Sequence, residues 1–106
     1  IKGETMSANI FGSAEDISST NTDSEASTVR SGRTRVFGVY LDSGTTSGDF
    51  HLRDGGSGGT LKFKVKTPAA VGGLTINFPG PILFETDVHA SFTTEHVKSA
   101  TVFHSK

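Results

Sequence analysis

From Arg33 to the end of the chain, apolar side chains recur at every second position in short runs broken by glycine and proline, and no run of ten residues carries a helical period. Period-two alternation sends successive side chains to opposite faces of an extended chain, so each run reads as a strand with one buried face. In Arg35-Val36-Phe37-Gly38-Val39-Tyr40-Leu41 the expected inner set is Phe37, Val39 and Leu41. Phe50 and Leu52 form the next inner pair, and Asp54-Gly55-Gly56-Ser57-Gly58-Gly59 supplies glycines able to take positive φ in a hairpin connection. The clearest strand is Thr60–Lys66, where Leu61, Phe63 and Val65 alternate with Lys62, Lys64 and Lys66. Further runs follow at Leu74–Phe78, Ile82–Glu85, Val88–Phe92 and Lys98–His104, with Pro79-Gly80-Pro81 dividing two of them. These are about seven short strands, which predicts an all-β fold: a small antiparallel β-sandwich or a jelly-roll-like barrel.

Residues 1–32 differ in kind. Runs such as Asp16–Asp23 and Ser24–Thr28 are rich in Ser, Thr, Asp and Glu, with too little apolar surface to offset the entropy of ordering alone. The expectation is an extended polar N-terminal arm over residues 1–32, ordered by partners, and one β-sandwich domain over residues 33–106. The arm is acidic, with Lys2 and Arg30 against Glu4, Glu15, Asp16, Asp23 and Glu25, while the remainder is net basic within a formal charge of −1. Ile10 and Phe11 are adjacent apolar residues inside this polar stretch and are the expected partner-binding anchors, with packing on their own domain as the plainer alternative. Ile1–Thr5 precede Met6-Ser7-Ala8, which looks like an ordinary initiation site, and are set aside from fold reasoning. No apolar run approaches a membrane span, and no basic start followed by an apolar core suggests secretion, so the chain reads as soluble.

Composition removes several chemistries. The absence of cysteine excludes disulfides, thiolate catalysis and Cys-based zinc sites. His51, His89, His96 and His104 lack short-range ligand spacing, and His51 and His89 fall opposite their strands' apolar residues, which favours exposed histidines over metal ligands. The glycine loop after Asp54 leads into a strand rather than a helix and lacks a Gly-Lys-Ser/Thr ending, so it reads as a turn and not a phosphate cradle. Glu85 and Asp87 could contribute at most to a calcium loop, and surface placement is the simpler reading. Lys62, Lys64 and Lys66 have the spacing of a phosphate track, yet their face lacks a stacking aromatic, Phe63 being on the opposite, apolar side, and the chain is net acidic. A solvated face that discourages edge pairing is favoured. The expectation is therefore no enzyme, no catalytic residue, no metal, no cofactor, no nucleic acid and no membrane.

Several of these pieces, in this order, resemble small virion structural proteins of tailed phages, especially those infecting marine cyanobacteria. The resemblance runs over roughly residues 35 to 103: the strand Arg35–Leu41, the hairpin Leu52–Leu61, the turn Thr67-Pro68-Ala69-Ala70, the segment Pro79–Thr86 followed by Val88-His89-Ala90, and the closing Val102-Phe103. It departs at Pro81, where a small residue or glycine is usual, and at the ending Phe103-His104-Ser105-Lys106. The resemblance implies a β-sandwich subunit of a particle assembled in the host cytoplasm, with the major capsid protein or another virion protein as partner. Capsid decoration by a homo-oligomer such as a trimer is the favoured role. A tail, collar or fibre component is the alternative, as is a carbohydrate or host-surface binding module, although Tyr40 is the lone tyrosine and tryptophan is absent.

Overall fold

A computed structural model describes residues 17–105. They form eight strands: β1 (Ile17–Thr22), β2 (Ala26–Ser31), β3 (Thr34–Ser43), β4 (Gly48–Asp54), β5 (Thr60–Thr67), β6 (Gly73–Phe84), β7 (Asp87–Ser91) and β8 (Val97–Ser105). The first strand pairs with the last, β2 with β7, β3 with β6 and β4 with β5, every pair antiparallel. The chain is thus one long two-stranded ribbon, doubled back at the glycine turn between β4 and β5. Pairing of β3 with β8 and of β4 with β7 rolls this ribbon into two sheets, β1-β8-β3-β6 (sheet A) and β2-β7-β4-β5 (sheet B). This strand order is the double Greek key of a jelly-roll sandwich.

The inner faces meet in a core built from Val36, Val39, Leu41, Phe84 and Val102 of sheet A and Phe50, Leu52, Val88 and Ala90 of sheet B, all 0% exposed. Phe92, just past β7, adds its ring 5.8 Å from that of Phe50. The two long sides of the sandwich close differently. Phe63 on edge strand β5 packs on Phe78 of edge strand β6 with ring centroids 4.8 Å apart. On the other side, where β1 and β2 are the edges, the Thr22 and Ser27 hydroxyls hydrogen-bond at 3.0 Å.

Eight strands replace the expected seven for two reasons. Residues 17–31, read from composition as arm, form β1 and β2 and belong to both sheets, so the sandwich begins by Ile17. Their order comes from pairing with β8 and β7 of the same chain, which supplies the backbone partners that Ser/Thr-rich sequence cannot supply alone. Conversely, the runs either side of Pro79-Gly80-Pro81 are one strand, β6. Its position at the edge of sheet A tolerates prolines that donate no hydrogen bond.

Two inner-face expectations also change. The β3 register slips between Val36 and Gly38 against both neighbours, which places Val36 in the core and leaves Phe37 half-buried on the outer face. A second slip between Leu52 and Arg53 sets Leu61 opposite Arg53, and Leu61 is 43% exposed.

Candidate functional site

The β-bulge at Phe37 creates the most distinctive surface feature. Gly38 permits it: a Cβ there would stand 2.5 Å from the Ile76 carbonyl oxygen, so any side chain would force β3 away from β6. Opposite the bulge, Phe78, Pro79, Gly80 and Pro81 occupy the stretch of β6 between the partners of Gly38 and Val36. With Phe37 turned outward by the bulge, a shallow hollow lies on the outer face of sheet A. It has a volume of about 240 Å³ and is lined by Ile17 of β1, Phe103 of β8, Phe37 of β3, and Thr75 and Asn77 of β6. One residue from each of three strands supplies apolar surface, while the β6 end is polar. Outer faces of antiparallel sandwiches are ordinarily polar, so an apolar depression there is a surface suited to contact.

The remaining residues singled out by sequence fall in separate places. His104 is 1% exposed inside sheet A. Its Nδ1 lies 2.8 Å from the Ser105 carbonyl, which can only accept, so Nδ1–H donates there. In the neutral ring Nε2 then accepts from the Thr20 hydroxyl at 2.8 Å. His89 is on the outer side of sheet B, as the alternation predicts, yet it is buried rather than exposed, at 8%. Strand β7 lies inside the sheet, and Thr28 and Arg53 flank His89 in register. Neither of its ring nitrogens has a hydrogen-bond partner among the described residues. His51 is half-buried, in register with Lys64 and Ser91, and His96 sits before β8 with Nδ1 2.9 Å from the Thr46 hydroxyl. Among the described residues the imidazoles and carboxylates form no group of three or more able to hold a metal.

The acidic residues act as turn clamps. The Asp54 carboxylate accepts backbone N–H bonds from Glu85 (2.8 Å), Thr86 (2.8 Å) and Asp87 (3.3 Å), and Asp87 in return accepts from Gly55 (2.9 Å) and Gly56 (3.1 Å). Two turns at one end of the sandwich are thereby cross-capped. Gly55 and Gly56 take φ of 101° and 82°, the left-handed region that suits glycine, so the loop after Asp54 is a turn held by Asp87. The amide of Glu85 and then that of Thr86 hold the Asp54 carboxyl below its ordinary range. Glu25, in the β1–β2 turn, accepts from the Thr94 amide and hydroxyl at 2.8 and 3.0 Å, and its carboxyl is lowered for the same reason. Glu85 itself lies 3.5 Å from Arg33.

Lys62, Lys64 and Lys66 are exposed on edge strand β5, with Lys64 3.6 Å from Asp49. Ile10 and Phe11, the expected partner anchors, lie outside the described residues. Sequence reasoning missed Ile17, Phe37 and Phe103 as surface-forming residues. The available signal was Gly38, since a glycine inside a strand pattern marks a bulge that reverses the faces on one side of it. No protein-family model, curated protein or solved structure matches the chain.

Proposed function

We propose that this protein is a structural subunit of a virion, of the small capsid-decoration kind, which seats on the outer shell and reinforces it. The observation that carries the reading is the apolar hollow on the outer face of sheet A. A rigid jelly roll with one outer face apolar in part and the other bearing an exposed lysine edge has a built-in orientation. Sheet A, with the segment that precedes Ile17, faces the shell, and β5 with its lysines faces solvent. Burial of apolar surface at about 25 cal/mol per Å² favours the first contact, and the cost of desolvating three lysines disfavours the reverse. The sequence resemblance over residues 35–103 supports the same role, with the major capsid protein or another virion protein as partner. Ile10 and Phe11 add apolar contact from the arm, and self-association into a small ring, a trimer for instance, gives each subunit several shell contacts at once.

The test is quantitative mass spectrometry of density-purified particles from the phage that encodes the chain. The expected result is a copy number of the same order as the major shell protein. A handful of copies per particle would move the subunit to the tail, collar or fibre, and its absence from purified particles would contradict the virion reading altogether.

A further inference from the structure

The two outer faces of the sandwich are unlike. Where sheet A carries an apolar hollow, the outer face of sheet B is built from charged and hydroxyl-bearing side chains. Inward Phe50 and Leu52 leave Asp49, His51 and Arg53 of β4 facing outward, and inward Phe63 and Val65 do the same for Lys64 and Lys66 of β5. The register slip beside Arg53 sets Leu61 opposite it, with Lys62 next along the strand. Two rows thus cross the sheet: Thr28, His89 and Arg53 in one, and Ser91, His51 and Lys64 in the other.

Cations prevail on this face. Lys62, Lys64 and Lys66 are all exposed, and steps of two residues along a strand put them about 7 Å apart. Of the carboxylates, Asp49 lies 3.6 Å from Lys64, while Asp54 and Asp87 are occupied by backbone amides at the turns. Neither Lys62 nor Lys66 forms an ion pair among the described residues. A second copy of β5 along the same edge is disfavoured, since it would set lysines against lysines.

We propose that the outer face of sheet B binds an acidic polysaccharide, a hydroxyl-rich chain bearing sulfate or carboxylate groups. Charge complementarity carries the choice of an anion, and the neighbours of the lysines select its kind. The Thr28 and Ser91 hydroxyls and the His51 ring supply hydrogen bonds for sugar hydroxyls, and exposed Leu61 offers apolar surface to sugar C–H groups. Among the described residues, no Phe, Tyr or Trp stands on this face to stack bases, and no element projects from it to enter a groove. Leu61 by itself is too little apolar surface to anchor the face in a lipid interface. With sheet A against a shell, this face points away from the particle; only that direction rests on the virion reading, and binding by the chain itself does not.

The test uses the full chain in solution, with heparin as the acidic polysaccharide and neutral dextran, a DNA duplex and phosphatidylserine vesicles as comparisons. Heparin should bind at low salt and shift the amide resonances of β4 and β5 rather than those of β1 and β8. Raising salt from about 20 to about 200 mM should weaken binding at least about tenfold, as screening and counterion release require. Lys62→Gln, Lys64→Gln and Lys66→Gln together should weaken it about tenfold or more, with the melting temperature within about 2 °C of the parent because all three side chains are exposed. Arg35→Gln with Lys98→Gln, both exposed on sheet A, should leave binding within about twofold. No binding at low salt, equal binding to dextran, shifts on sheet A, or undiminished binding by the triple variant would overturn the proposal. Tighter binding to the duplex or to the vesicles than to heparin would overturn it in favour of that ligand. Absence of the chain from phage particles would leave these results standing, and a chain found on particles that ignores heparin would sink this proposal alone.

Discussion

Replacement of Val36 and of Phe37 by alanine, one at a time, tests the bulge on which the outer face of sheet A depends. Val36 is 0% exposed between the sheets, whereas Phe37 is half-buried outside them. Val36→Ala removes two methyl groups worth about 0.8 kcal/mol each and leaves a cavity, a total cost of about 2–3 kcal/mol. Phe37→Ala removes a larger side chain from a half-exposed position and should cost about 1–1.5 kcal/mol. The smaller residue is thus expected to matter more. Urea unfolding followed by circular dichroism reads the difference: with a slope of about 2 kcal/mol per molar, the Val36→Ala midpoint should fall by about 1 M and that of Phe37→Ala by about half as much, at unchanged slope. An uninterrupted alternation along β3 would place Phe37 in the core, where truncation costs about 3–5 kcal/mol and Val36→Ala almost nothing. That reversed ranking would refute the bulge and the hollow with it.

Two further outcomes follow from the clamps and the buried histidine. The Asp54 and Glu25 carboxyls are held below their ordinary range by hydrogen bonds in the folded state. Their stabilisation is therefore present above the unfolded-state values of about 4 and is lost as pH falls through the lower folded-state values. Asp54→Asn and Glu25→Gln should each melt below the parent at pH 7, with the gap narrowing below about pH 4; a gap that stays constant to pH 2 would contradict the charge-based account. Thr20→Val strips the His104 Nε2 of its hydrogen-bond partner in a buried site and should cost about 1–3 kcal/mol in urea unfolding. A neutral result would mean that the Thr20–His104 bond contributes nothing to the pairing of β1 with β8.

How much of this was legible in sequence depended on where the apolar residues lie. Phe50, Leu52, Phe63, Val65, Val88 and Ala90 alternate without interruption, and the strands they mark are where the pattern placed them. Strands β1 and β2 read as arm because ISSTNT and ASTVRS hold few apolar residues, and of these Val29 alone is buried. Both are strands because β8 and β7, far along the chain, offer open edges to pair with, a tertiary cause that local composition does not carry. Pro79-Gly80-Pro81 reads locally as the end of a strand, whereas its edge position lets β6 run through it. At Phe37 the period was correct in kind and misassigned in phase, since one bulge exchanges the faces on its N-terminal side. His89 was assigned the right face, but its burial depends on flanking strands that only the topology identifies.

The most direct test of the virion reading is a cryo-electron microscopy map of the intact particle at a resolution that separates strands. The account predicts eight-stranded jelly rolls distributed over the outside of the shell, with sheet A and the segment before Ile17 against the shell protein and the Lys62–Lys66 edge toward solvent. Density for the chain at the tail vertex alone, or with its lysine edge seated on the shell, would contradict it.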